Sequence, residues 1–341
     1  MYGSALRATV LCALCALVVV IGDALTSEQP VDIPPPVYTL PVSTNDSALR
    51  ELGRMLFYDT VLSVDGSTSC ATCHQQFSAF SHIDHALSHG VEGRIGRRNV
   101  PALQNLAWQT SYMWDGAIEH LDMQALSPLT GHDELGEMLP NVLDKITRSA
   151  FYAPRFVSAF GSDTVSIPRI ITALGRFGAS LVSMNSRYDR FRRSLDSLTT
   201  NELRGYKLFQ LHCNTCHTEP LFTNNTFVSS GLPADSMLND SGRYRVTHDV
   251  LDMYRFRVPS LRNIAVTHPY MHDGRFKRLR DVMAFYADPS RHASHADPRI
   301  GGIGVLNDAA RKDIIAFLLT LTDDEFLRSP QHADPFTAIQ R

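Results

Sequence analysis

Between residues 166 and 183 the apolar positions Ile167, Ile170, Ile171, Leu174, Phe177 and Leu181 recur three and four residues apart, with polar residues between them. That spacing lays one apolar stripe along a helix and predicts a core helix, with Ser166 as its N-cap and Pro168 in its first turn. Residues 308–326, DAARKDIIAFLLTLTDDEF, predict a closing helix near the end of the chain. No convincing run of alternating apolar and polar positions stands out, so the predicted class is all-α or mainly α.

One pattern occurs twice. LGRMLF at residues 52–57 and RGYKLF at 204–209 share a Gly-x-x-Leu-Phe tail, and each tail ends a predicted helical segment. Thr199 and Glu202 form a capping-box signal at the start of the second copy. A boundary is therefore placed in the polar stretch 192–201, giving an N-terminal domain over 46–191 and a C-terminal domain over 200–330. Ahead of them, residues 27–45 are proline-rich and read as an extended leader.

At 341 residues and 44% apolar composition the chain can bury substantial cores. A formal charge of -3 gives no basic footprint for nucleic acid. Arg7 followed by the apolar run ATVLCALCALVVVIG and a polar stretch has the order of a secretory signal over residues 1–26; an uncleaved membrane anchor is the alternative, for which the run is short. If that segment is removed, Cys12 and Cys15 leave with it, and Cys70, Cys73, Cys213 and Cys216 remain.

Those four cysteines lie in SCATCHQQF and HCNTCHTEP, so each repeated tail is followed by a Cys-x-x-Cys-His unit. Such a unit attaches c-type haem: both thiols add to the vinyl groups and the adjacent histidine, His74 or His217, becomes an iron ligand. A redox dithiol or half of a zinc site is the alternative for a single copy. Two copies, a helix before each and an export signal favour two covalently bound haem c groups.

The segments LFYDTVLSVDGSTSCATCH, GRRNVPALQNLAW, YMWDGAIEHLDMQALSPL, DELG and FRVPSLRNIAVTHPYMHDG, with the second haem motif, resemble in order and spacing the bacterial dihaem cytochrome c peroxidase and MauG-like family over residues 46–325. The resemblance implies two cytochrome c-like haem domains packed against each other in a periplasmic protein. It implies Trp114 between the haems, Gln124 and Glu134 on the open side of the N-terminal haem, and His74 on the other side. It also implies a calcium ion held by the Asn99 side chain and the Thr267 and Pro269 carbonyls, an all-oxygen set suited to a hard cation.

There are departures from the family pattern. The peroxidases carry a methionine fourteen residues after the histidine of His-Asp-Gly; counting from His272 gives Tyr286, and MauG-like proteins use a tyrosine there. Met283, one helical turn earlier, is a competing ligand of the C-terminal haem. His82, His85 and His89 fall near a histidine that caps the N-terminal iron in resting peroxidases; His89 is the nearest match, one residue out of register. Otherwise these histidines line a propionate, bind another metal or face solvent. Ala117 and Leu135 replace an arginine and a methionine common in the family.

The leading functional expectation is reduction of hydrogen peroxide to water, with electrons from a small cytochrome c or copper protein entering at the C-terminal haem. The alternatives are a MauG-like oxidase that uses peroxide to modify a partner protein, and a dihaem electron carrier without an open site. The resemblance also admits a homodimer.

Overall fold

Helices occupy most of the stretches where the apolar stripe recurs. The computed structural model describes residues 33–38 and 43–337. Among them are α1 (Asp46–Tyr58), α2 (Cys70–Cys73), α3 (Leu126–Thr130), α4 (Leu139–Arg148), α5 (Ala153–Phe160), α6 (Ile167–Ser180), α7 (Arg187–Arg192), α8 (Thr200–His212), α9 (Tyr244–Thr247), α10 (Leu279–Tyr286), α11 (Asp308–Leu319) and α12 (Asp324–Arg328). The strands are β1 (Phe227–Val228) and β2 (Phe256–Arg257), antiparallel with Phe227 opposite Arg257. The mainly α class is borne out. The predicted secretory segment, residues 1–26, lies outside the described residues, and among those described no helix is long and apolar enough to cross a membrane. The described part of the proline-rich leader is tied down where Trp108 Nε1 donates to the Pro34 carbonyl at 2.7 Å.

The predicted helix starts are present. The Ser166 hydroxyl accepts from the Arg169 amide at the head of α6, with Pro168 in the first turn. Thr199 and Glu202 close a reciprocal capping box on α8.

The sequence repeat has a structural cause in two helix crossings. At Gly53 in α1, a Cβ would stand 1.9 Å from the Ala173 carbonyl oxygen and 3.0 Å from Phe177 Cβ of α6. At Gly205 in α8, it would stand 1.9 Å from the Asp313 carbonyl oxygen and 3.0 Å from Phe317 Cβ of α11. Only glycine admits backbones this close. The phenylalanine ending each repeat then meets the aromatic of the facing helix: Phe57 and Phe177 centroids are 5.1 Å apart, as are Phe209 and Phe317. Burying each such ring contributes about 1.5–3 kcal/mol.

Two hydrophobic cores follow. One gathers Leu52, Leu56, Phe57 and Phe80 with Phe156 and Phe177. The other gathers Tyr206, Phe209 and Phe222 with Met283, Ile314 and Phe317. The expected single helix over 308–326 is in fact two, because Asp323 is taken up by other partners. Its carboxylate accepts from Ser183 Oγ (3.0 Å), the Asn185 amide (2.9 Å) and the Phe326 amide (3.1 Å), capping a new helix. The chain turns, and α12 delivers Phe326 to the first core, 5.8 Å from Phe80. Tyr188 of α7 belongs to the second core, so each core borrows a piece from beyond the polar stretch 192–201.

A chain of buried polar groups between these parts is paired. Arg262, fully buried, holds Asp189 through Nη1 and Nη2 at 2.8 and 2.7 Å and also donates to the Pro220 carbonyl. Gln104 Nε2 donates to the Arg262 carbonyl and Asn263 Nδ2 to Gln104 Oε1. Removing one partner would leave an unsatisfied buried group, the expensive outcome.

The tight crossing predicts a contrast between two glycines. Gly53→Ala should lower stability by about 1–3 kcal/mol, through overpacking against a backbone carbonyl. Gly301→Ala, where a Cβ meets nothing within 4 Å, should change it by less than about 0.5 kcal/mol. Denaturant midpoints of the haem-loaded proteins measure both; equal midpoints would show that the α1–α6 crossing has room to spare.

Candidate active site in two Cys-x-x-Cys-His cavities

The two cysteine motifs open onto separate cavities of about 560 and 430 Å³, both in the range of cofactor sites. The larger is bounded by Cys70, Cys73 and His74, and the smaller by Cys213, Cys216 and His217.

The first motif is one turn of helix. Ser69 and Thr72 cap α2 reciprocally, which holds Cys70 and Cys73 three residues apart on one face. His74 leaves the helix and its Nδ1 lies 2.6 Å from the Phe80 carbonyl oxygen. A carbonyl can only accept, so Nδ1 carries the proton and Nε2 keeps its lone pair for a metal. The carbonyl reaches the ring because Phe80 is held at φ 59, a left-handed conformation rare for a bulky side chain. The second motif repeats the device. His217 Nδ1 lies 3.1 Å from the Pro259 and 3.2 Å from the Phe222 carbonyl oxygens, and Phe222 has φ 56.

Burial decides the charge state of both motifs. It pulls His74 down to about 4, against the hydrogen bond to Phe80, and lowers His217 as well. Both imidazoles are therefore neutral near pH 7. Burial, then the neighbouring Cys73 and Glu134, pushes the Cys70 thiol up to about 12; burial and Cys216 do the same to Cys213. Neither motif has the lowered thiol pKa that marks a reactive redox dithiol. The zinc alternative lacks ligands: among the described residues no group of three or more His, Cys, Asp or Glu side chains is placed to hold a metal ion.

Glu134, Gln124 and Trp114 all line the first cavity, with Leu174 on the wall. Burial, reinforced by the negative charge of Asp133, raises the Glu134 carboxyl to about 7. Its loop is fixed by the Val91 amide donating to the Glu134 carbonyl at 2.8 Å. A Cβ at Gly90 would stand 2.5 Å from that same oxygen, so this close approach requires glycine. Trp114 lines both cavities, and its Nε1 donates to the Asn99 carbonyl at 2.8 Å.

The remaining sequence candidates are placed as follows. Tyr286 and Met283, on one face of α10, both line the second cavity, and burial pushes the Tyr286 phenol well above its ordinary value. Asn99, Thr267 and Pro269 line that cavity together. His89 lines the first cavity with its ring 4.2 Å from that of His85, and the carbonyl of His89 accepts from Cys73 Sγ at 3.3 Å. Ala117 and Leu135 also border the first cavity.

A family model described as di-haem cytochrome c peroxidase matches residues 47–197. The methylamine utilization protein MauG of Methylorubrum extorquens is 33% identical over 275 residues, covering 79% of this chain and 77% of that one. The cytochrome c551 peroxidase of Nitrosomonas europaea is 32% identical over 294 residues and 83% of each chain. This chain belongs to the di-haem cytochrome c peroxidase family. A crystal structure of a MauG-like protein associated with microbial copper homeostasis has a TM-score of 0.80 at 31% identity, over 91% of this chain and 99% of that one. The diheme peroxidase BthA from Burkholderia thailandensis E264 gives 0.70 at 25% identity, over 84% of this chain and 89% of that one.

Membership in the di-haem family implies two haem c groups, and the donor sets fit them. Each cavity offers two protonated thiols and one neutral imidazole whose Nδ1 is engaged and whose Nε2 is available.

Sequence reasoning did not single out Arg98, which binds Asp240 through Nε at 2.6 Å and Asp115 through Nη1 at 2.7 Å on the wall of the first cavity. Its position after GRIG carried a weak signal, as one of two adjacent arginines before a predicted site residue.

The two attachment sites are independent in this geometry. Replacing Cys70 and Cys73 by serine should yield a protein lighter by one covalently bound haem in intact-mass spectrometry under denaturing conditions, and Cys213→Ser with Cys216→Ser should do likewise. A double variant that keeps both haems attached would contradict the assignment.

Proposed function

We propose that this protein is a periplasmic dihaem peroxidase that reduces hydrogen peroxide to water, and that Glu134 is its acid–base residue. The observation that carries the proposal is the Glu134 carboxyl, raised to about 7 on the wall of the cavity that holds Cys70, Cys73 and His74. When bound, the haem at His74 supplies the iron at which the O–O bond is cleaved and the route by which electrons reach it. Heterolysis needs a proton moved from one peroxide oxygen to the other. A carboxyl with a pKa near ambient pH can take it and give it back. Gln124, whose side-chain amide has no hydrogen-bond partner among the described residues, is free to hold the peroxide or the departing hydroxide. Two electrons and two protons then complete the conversion of one peroxide to two waters.

Electrons enter at the unit of His217 from a small cytochrome c or copper protein and cross at Trp114, which touches both cavities. Tyr286, on the wall of the same cavity, would hold the haem of that unit together with His217. Calcium fits Asn99, Thr267 and Pro269: the Asn99 Oδ1 and the two backbone carbonyls accept no hydrogen bond from any described residue, while Asn99 Nδ2 is spent on the Ala86 carbonyl. The two cores are taken as two cytochrome c-like domains.

Tyr286 in the second cavity favours a second reading, oxidation of a partner protein by peroxide, which fits the MauG-named relatives. Steady-state turnover with a reduced small cytochrome or cupredoxin separates the two: sustained peroxide consumption supports the first, and its absence with every donor supports the second.

Glu134→Gln should retain both haems and lose peroxide turnover by about 10²–10⁴-fold. Because the carboxylate form accepts the proton, wild-type kcat/KM should rise as pH increases through about 7 and flatten above it, and the variant should lack that limb. Near wild-type rates in the variant would remove Glu134 from the mechanism.

A further inference from the structure

Arg257, on β2, borders both cavities and is only 6% exposed. Its backbone amide donates to the Trp114 carbonyl at 2.8 Å and its Nε to the Met113 carbonyl at 3.3 Å. Neither Nη1 nor Nη2 has a hydrogen-bond or ion-pair partner among the described residues. The buried acids of this region are already engaged, since Asp115 and Asp240 are both held by Arg98. Burial lowers the Arg257 guanidinium to about 10, with only Tyr112 acting against it. A buried cation without a counter-anion is among the most costly arrangements a protein can hold, so the missing anion belongs to what fills the cavities. A guanidinium with both terminal nitrogens free matches a carboxylate in the two-pronged geometry.

We propose that Arg257 is a carboxylate-binding residue that anchors a haem propionate at the wall shared by the two cavities. The inference rests on the presence of the haems and not on peroxide chemistry. Arg257 is a positioning residue here: it pairs with the cofactor's periphery beside Trp114, and its positive charge favours the reduced iron of that haem.

The test uses haem-loaded Arg257→Gln and Arg257→Lys, each checked for two covalent haems by intact mass. In Arg257→Gln the propionate-bending band in resonance Raman should shift and the midpoint potential of one haem should fall. Arg257→Lys should keep most of the potential while shifting the band, because the charge remains and the two-pronged bond is lost. If the glutamine variant does not accumulate, the lysine variant decides alone. Unchanged bands would overturn the proposal. A free carboxylate is the other source of the same chemistry: if acetate or succinate, added to wild type in carboxylate-free buffer, shifts a haem potential and does not do so in Arg257→Gln, the site takes a soluble anion and the propionate assignment falls.

Discussion

Two glycine contacts hold the rest of the molecule in register. Gly53 lets α1 lie against the Ala173 carbonyl, and Gly205 lets α8 lie against that of Asp313. Each crossing sets the height at which its helix ends, and each Cys-x-x-Cys-His turn follows from there. A shift of a few tenths of an ångström at the crossing would carry into Phe57 or Phe209 and then into the aromatic cluster that supports Phe80 or Phe222, whose left-handed carbonyl orients the histidine. The imidazole is aimed by packing, through backbone carbonyl oxygens: that of Phe80 for His74, and those of Phe222 and Pro259 for His217.

The same packing supplies the electrostatics. The dry wall that keeps His74 neutral also keeps the Glu134 carboxyl protonated toward neutral pH, though the two shifts run in opposite directions along the pH scale. Desolvation penalises whichever form is charged, so it pulls a base down and pushes an acid up. Each shift corresponds to about 3 kcal/mol between protonation states. Asp133 adds to the effect on Glu134, because a neighbouring negative charge disfavours a second one.

Chemistry spaced along a few residues was legible in the sequence. The cysteine–histidine units, the Gly-x-x-Leu-Phe repeat and the caps at Ser166 and Thr199 all depend on local order, which a linear pattern records, whereas Glu134 was reached only through the family resemblance. What escaped is what depends on long-range pairing. Asp323 breaks the expected closing helix because Ser183 and Asn185, some 140 positions earlier, compete for its carboxylate. Arg257 sits in FRVPSLRN, a stretch read only as part of a family resemblance; its importance lies in the absence of a nearby acid, and an absence in space leaves no mark along the chain.

The wall between the cavities explains why the segment around Trp114 and the strand carrying Arg257 are bound through main-chain groups. Trp114 gives its indole N–H to the Asn99 carbonyl and its own carbonyl to the Arg257 amide, and Asn99 takes the His272 carbonyl through its amide. Side chains in a wall that must face two cofactors have few directions left for structural bonds, so the backbone carries them. A tether of this kind fixes the Trp114 ring on the wall shared by the two cavities. It also links the proposed calcium ligand Asn99, the Trp114 ring and the backbone of Arg257 through two consecutive hydrogen bonds. A disturbance at Asn99 would therefore reach both cavities by the same backbone, whichever cavity it began in.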